Sequence, residues 1–202
     1  MKETEITIEI LEPLNSAKEK ILQNGFYIKE KIKMIDYYYS KFPIETLKNF
    51  EYSELIANSF LVREVICEDR KSLQIIYKNK VLDSNQNVIS EEKIKCNIDN
   101  LDNILKIFDF SKLNCWCILE QHMTVYENDK TSFIVQEIDD LGNFIEYEED
   151  ENMSNLTEHE KIQTLTNRLK AIGLNLGDNY SCKKVYLKFQ KPINKQNPAS
   201  IN

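Results

Sequence analysis

The sequence predicts an α+β protein in which antiparallel strands form a sheet and amphipathic helices cover its apolar side. Three features point there. Several segments alternate apolar and ionisable residues at period two, the mark of a strand with two unlike faces. Strand-like segments follow one another across short turns, which makes neighbours antiparallel. Three helical segments carry an apolar stripe suited to packing on a sheet.

The first strand is expected over about 3–11, where Glu3, Glu5, Thr7 and Glu9 alternate with Ile6, Ile8 and Ile10. After Pro13 an amphipathic helix carries Leu14, Ala17, Ile21 and Leu22 and stops at Gly25. Residues 27–39 are rich in aromatic and β-branched residues and read as strand, ending in Asp36-Tyr-Tyr-Tyr39. A loop with a short helical piece is expected over 40–58, then strands over 60–66, 73–80 and 88–98, with a turn at 83–87. In the last of these Glu91, Lys93, Lys95 and Asn97 make a polar face opposite Glu92, Ile94, Cys96 and Ile98.

Asp99 is the expected N-cap of a helix through Phe110, with Leu101, Ile104, Leu105 and Phe108 on its buried side. Strands return at 114–126 and 131–138. In the first, Cys117, Leu119, Met123 and Val125 line one face, broken by Gln121, against Glu120, His122 and Thr124. The stretch 135–150 reads as strand, a turn at Asp140-Leu-Gly142 and strand, with Phe144, Glu146 and Glu148 on one face and Ile145 and Tyr147 on the other. Thr157 and Glu160 form a capping box for the last clear helix, which buries Ile162, Leu165, Leu169 and Ile172 and ends at Gly173. A single domain is expected over 1–191, with a polar, disordered tail over 192–202.

If the helices pack outside on the apolar faces, the charged faces point at one another, as in a barrel with a polar interior. Buried unpaired charge is costly, so such an interior implies a bound ion or a charged ligand. The pattern fits equally well an open antiparallel sheet with helices on one face and water on the other.

Bulk properties narrow the function. A net charge of −7 argues against general nucleic-acid binding, which needs a basic surface. No apolar run is long enough for a membrane helix, and the N-terminus lacks a secretory apolar core. A cytoplasmic protein is expected, with five reduced and scattered cysteines. Cys115-Trp-Cys117 is the only close pair. Both thiols should point to one side of a strand, but with no second pair or suitable histidine they do not make a zinc site.

The motif order resembles the CYTH domain, the group of class IV adenylyl cyclases and thiamine triphosphatases among the triphosphate tunnel metalloenzymes. The most specific piece is Glu137-Ile-Asp-Asp-Leu-Gly-Asn-Phe-Ile-Glu-Tyr-Glu148, similar to the family's strand, Leu-Gly turn and Phe-x-Glu-x-Glu ending. Glu3-Thr-Glu5, Asp36-Tyr-Tyr-Tyr39, Phe60-Leu-Val-Arg-Glu64 and Tyr77-Lys78 support it. The resemblance implies an eight-stranded, closed or nearly closed antiparallel β-barrel with helices outside. Its tunnel would bind a small-molecule triphosphate together with Mg²⁺ or Mn²⁺, in a monomer or homodimer without nucleic-acid or membrane partners.

Carried over residue by residue, the resemblance makes Glu3, Glu5, Glu146 and Glu148 metal candidates, since hard divalent ions take carboxylate oxygens. Arg63, Lys78, Lys93 and Lys95 become substrate-binding candidates, because Arg and Lys neutralise phosphate. His122, the only histidine in a strand, is the acid-base candidate. Departures from the family pattern are Thr7 for lysine, Leu61 in place of the first of two arginines, and Lys93 and Lys95 where acids are usual. Glu120 and His122 stand for a basic pair, and Gln136 for aspartate. They leave two functions open: a metal-dependent phosphohydrolase or cyclase acting on a triphosphate, or a non-catalytic relative binding a nucleotide, another anion or a protein.

Overall fold

The structure is a computed structural model that describes residues 4–191 except positions 69, 83, 86 and 87. Glu3, the 192–202 tail and most of the 83–87 turn therefore lie outside the described residues. Among the described residues eight strands form one antiparallel sheet: β1 (Glu5–Ile10), β2 (Tyr27–Ser40), β3 (Phe60–Cys67), β4 (Arg70–Leu82), β5 (Val88–Asn97), β6 (Asn114–Glu127), β7 (Ser132–Ile138) and β8 (Gly142–Glu148). Their order is β1-β8-β7-β6-β2-β3-β4-β5. The expected curled eight-stranded antiparallel fold is present, but it is open rather than closed, with β1 and β5 as its edges. Those edges meet through side chains, Lys93 Nζ lying 3.8 Å from a Glu5 carboxylate oxygen.

Three amphipathic helices cover the outer face as their stripes require. α1 (Leu14–Gln23) and the later α5 (Glu158–Ala171) bury Ala17, Ile21, Ile162, Leu165 and Leu169 against Ile6, Ile8, Ile10, Val135, Ile145 and Tyr147. Thr157 and Glu160 close the expected capping box at the head of α5. The helix α4 (Leu101–Phe110) packs on Tyr39 and Val62 through Phe108. Its N-cap is Asn100, which accepts from the Asn103 backbone N–H, one residue after the expected Asp99. Gly25 (φ +83°) and Gly173 (φ +81°) end α1 and the α5 turn in the left-handed region that glycine tolerates.

The expectation that every helix lies outside is corrected. Two short helices, α2 (Ile44–Leu47) and α3 (Tyr52–Ala57), and the C-terminal α6 (Lys184–Gln190) sit against the inner face. They bury Leu47, Leu55, Ile56 and Val185 with Leu61, Ile76, Leu119, Ile138 and Phe144. One end of the trough is thus filled with apolar side chains. Residues 175–182 run along β1, with Thr7 N–H donating to the Tyr180 carbonyl and Cys182 N–H to the Thr7 carbonyl. This cover satisfies an edge that would otherwise be open and leads the chain into α6.

That inner plug reverses the expected facing of β6. Cys117 and Leu119 turn inward because apolar helices wait there, and Gln121 turns inward with them. Glu120 and His122 consequently face out, where Glu120 pairs with Lys33 at 2.6 Å. A register shift opposite Tyr38 and Tyr39 also puts Cys115 in the outer cluster and Cys117 in the inner one, so the two thiols do not share a side. On β5 the expected apolar face stays uncovered, with Ile94 63% exposed. Among the described residues no helix is long and apolar enough to cross a membrane.

Candidate functional site

Beyond the apolar plug the trough holds a polar cavity of about 90 Å³. Strand alternation supplies its walls. Glu5 and Thr7 come from β1, Met34 and Asp36 from β2, Arg63 from β3, Lys78 and Lys80 from β4, Lys93 from β5, Leu119 and Gln121 from β6, and Glu146 from β8. The strand that precedes the Leu141-Gly142 turn adds Gln136, and α6 adds Lys184. Larger hollows of about 590 and 640 Å³ lie at the β6–β7 turn beside α5 and at the β5–α4 connection, away from this convergence of charge.

Antiparallel pairing brings the carboxylates together: Glu5 stands opposite Glu148, and Thr7 opposite Glu146. Oxygens of Glu5, Glu146 and Glu148 lie within 4.8 Å of one another, close enough for one metal ion. Burial, then the charges of Glu146 and Glu91, pushes the Glu5 pKa up to about 7. Burial would raise Glu146 too, but Lys184, together with Lys78 and the Gln136 amide, outweighs it and holds that carboxyl at about 2. Crowded carboxylates that resist joint ionisation are what a bound divalent cation relieves, and oxygen donors suit Mg²⁺ or Mn²⁺.

Facing this trio is a basic wall. Lys78 and Lys93 are cross-strand partners, and Lys80 stands opposite Glu91. Glu91 lies 2.6 Å from Lys80 and 2.7 Å from Lys93. Although burial opposes it, the three lysines hold the Glu91 carboxyl below the ordinary range. Arg63 donates through Nε and Nη2 to both oxygens of Asp36, at 2.7 and 2.6 Å. Lys184 bonds Gln136 Oε1 at 2.5 Å and Glu146 Oε2 at 2.7 Å. Lys78 has no ion pair or hydrogen bond among the described residues, and burial pushes its pKa down to about 8.

Of the candidates, Glu5, Glu146, Arg63, Lys78 and Lys93 line the cavity, and Glu148 joins the carboxylate cluster. Lys95 shares the inner face of β5 but is exposed and outside the cavity. His122 is on the outer surface, 3.7 Å from Glu120, and reaches no group in the cavity. Sequence reasoning missed Lys80, Asp36, Gln121 and Lys184 as cavity residues. Lys80 was legible as Lys78 plus two along one strand face. Lys184 was not, because α6 carries no long amphipathic pattern.

No family model and no curated protein matches the sequence. Solved structures do match in fold. The PH1819 protein from Pyrococcus horikoshii aligns with a TM-score of 0.64 at 17% identity, over 87% of this chain and 93% of that one. The PH1012 protein from the same organism gives 0.65 at 14%, over 92% and 98%. A candidate adenylate cyclase from Vibrio parahaemolyticus gives 0.56 at 14%, over 87% and 90%. At these identities the likeness concerns architecture, and the chain has the CYTH-like fold that its hairpin motif resembles.

Proposed function

We propose that the chain binds a triphosphate-containing small molecule in this cavity with a divalent cation and acts as a phosphohydrolase. The observation that carries this is the apposition of the Glu5–Glu146–Glu148 cluster, two members of which line the cavity, and the cavity lysines at 78, 80 and 93. Lysine ammonium groups and Arg63 would neutralise phosphate oxygens and hold them in place as charge shifts between oxygens. Mg²⁺ or Mn²⁺, when held by the three carboxylates, would supply further neutralisation of the phosphates. The fold shared with the Vibrio candidate adenylate cyclase supports a nucleotide among the ligands. Hydrolysis is favoured over cyclisation, and His122 takes no part, since it faces away.

A second reading is a non-catalytic binding protein, and a specific observation favours it. Arg63, Lys80, Lys93 and Lys184 are each paired with a carboxylate already. The cavity of about 90 Å³ is also well below the roughly 300–1,000 Å³ of pockets that enclose organic ligands. One assay separates the two: phosphate release from tripolyphosphate, ATP and thiamine triphosphate with Mg²⁺ or Mn²⁺, for wild type, Glu146→Gln and Arg63→Ala. Turnover that requires metal and falls in both variants supports the enzyme. Thermal stabilisation by these ligands without turnover supports the binding protein.

A further inference from the structure

Gln121 sits on the inner face of β6 and is 1% exposed, yet its Oε1 has no hydrogen-bond partner among the described residues. Buried amide carbonyls are normally paired, because an unmet acceptor is costly. Its cross-strand neighbours are Met34 and Ile138, and the next inward residues on β6 are Leu119 and Met123. None of these side chains carries a donor. Arg63 Nε and Nη2 are committed to Asp36, and the Lys184 ammonium to Gln136 and Glu146. Gln136 is the contrast: its Nε2 donates to Glu146 and its Oε1 accepts from Lys184.

The polarity of the cavity is divided in the same sense. Donors Arg63, Lys78, Lys80 and Lys93 stand on β3, β4 and β5, whereas the β2 and β6 wall presents Asp36, Gln121, Met34, Leu119 and Tyr38. Asp36 is opposite Leu119 and hence diagonal to Gln121, so around Gln121 that wall carries an acceptor and apolar groups, the Tyr38 hydroxyl lying two residues beyond Asp36. An ionised phosphate offers acceptors only and belongs against the lysines. The Gln121 carbonyl calls for a group that donates.

We propose that Gln121 is a specificity-determining residue that accepts a hydrogen bond from a hydroxyl or amino group of the ligand. The site is then selective for an organic phosphate ester over inorganic polyphosphate. This rests on the phosphate-binding reading given above, with the phosphates toward the β3–β5 wall and only the hydroxyl- or amino-bearing edge of the organic part reaching the β2–β6 wall, since about 90 Å³ does not enclose the whole ligand.

Calorimetric titration of the full chain with ATP and with tripolyphosphate, each with Mn²⁺, tests this for wild type and Gln121→Leu. Wild type is expected to bind ATP about 3- to 10-fold more tightly than expected from tripolyphosphate alone, the worth of one hydrogen bond. Gln121→Leu should lose that margin for ATP and leave tripolyphosphate unchanged. Gln121→Glu, which keeps the acceptor, should retain the ATP margin relative to tripolyphosphate. Equal loss of both ligands, an unchanged ratio in Gln121→Leu, or a wild-type preference for tripolyphosphate overturns the assignment to Gln121 while phosphate binding stands. Failure of both ligands to bind any variant overturns the phosphate-binding reading and this inference together. Circular dichroism and thermal melting show whether each variant is folded.

Discussion

Lys184 Nζ lies 2.7 Å from Glu146 Oε2, so a cation tethered to α6 already sits on the carboxylate that a divalent ion would use. Segment 175–182, strapped along β1, fixes the position from which that lysine enters. Lys184→Gln removes the competitor and leaves a group able to bond Gln136. Mn²⁺ affinity, read by calorimetry, is expected to rise roughly tenfold, the equivalent of one charge-assisted hydrogen bond. Unchanged or weaker Mn²⁺ binding would argue that Glu146 is not a ligand.

Asp36 and Arg63 form a buried ion pair in the cavity wall, Asp36 being 1% exposed and bonded through both oxygens. Removing one member of a buried pair strands the other charge, which typically costs about 3–5 kcal/mol. Asp36→Ala should therefore lower unfolding stability in urea by about that amount. The double variant Asp36→Ala, Arg63→Met should recover most of the loss, since no charge is left alone. A double variant no more stable than Asp36→Ala would contradict this account.

Lys78 is held for something other than stability. Burial lowers its pKa from 10.5 to about 8, and no carboxylate pairs with it directly among the described residues. The charged form is therefore disfavoured by folding: its cost is fully present below pH 8 and fades as pH rises toward 10.5. Lys78→Met should stabilise the protein by about 1–2 kcal/mol at pH 7, with the gain shrinking above pH 8. The same substitution should weaken tripolyphosphate binding. Stabilisation without that loss would remove Lys78 from the site.

Strand alternation made most of this architecture readable in advance. Glu5, Glu146 and Glu148 were visible as charges opposite isoleucine and tyrosine positions, and antiparallel pairing then brought them together. Facing on β6 was not readable in the same way. Its apolar residues fit an outer helix or an inner plug equally well, and only the long-range docking of α2, α3 and α6 decides for the inside. His122 and Gln121 exchanged places for that reason. The pairing of Lys93 with Glu91 follows from their shared strand face, whereas the second partner of Glu91, Lys80, comes from β4 and only the register of β4 on β5 reveals it.

Glu5 gives the site a pH dependence with a definite sign. Its pKa rises from 4.5 to about 7 on folding, so the fold favours its protonated form. That contribution is fully present below pH 4.5 and is lost as pH climbs to 7, at most about 3 kcal/mol. Glu146, held at about 2, behaves oppositely: its contribution is fully present above pH 4.5 and is lost as pH falls from there through about 2. Between pH 4.5 and 7 the Glu5 effect therefore prevails in this pair, and the metal-free melting temperature should fall over that interval. Glu5→Gln, neutral throughout, should flatten the profile. A divalent ion needs the ionised carboxylate, so Mn²⁺ should bind more tightly as pH approaches 7 and release close to one proton near pH 6. Calorimetry in buffers of different ionisation enthalpy counts that proton. Its absence in wild type, or its persistence in Glu5→Gln, would show that Glu5 does not bind the ion.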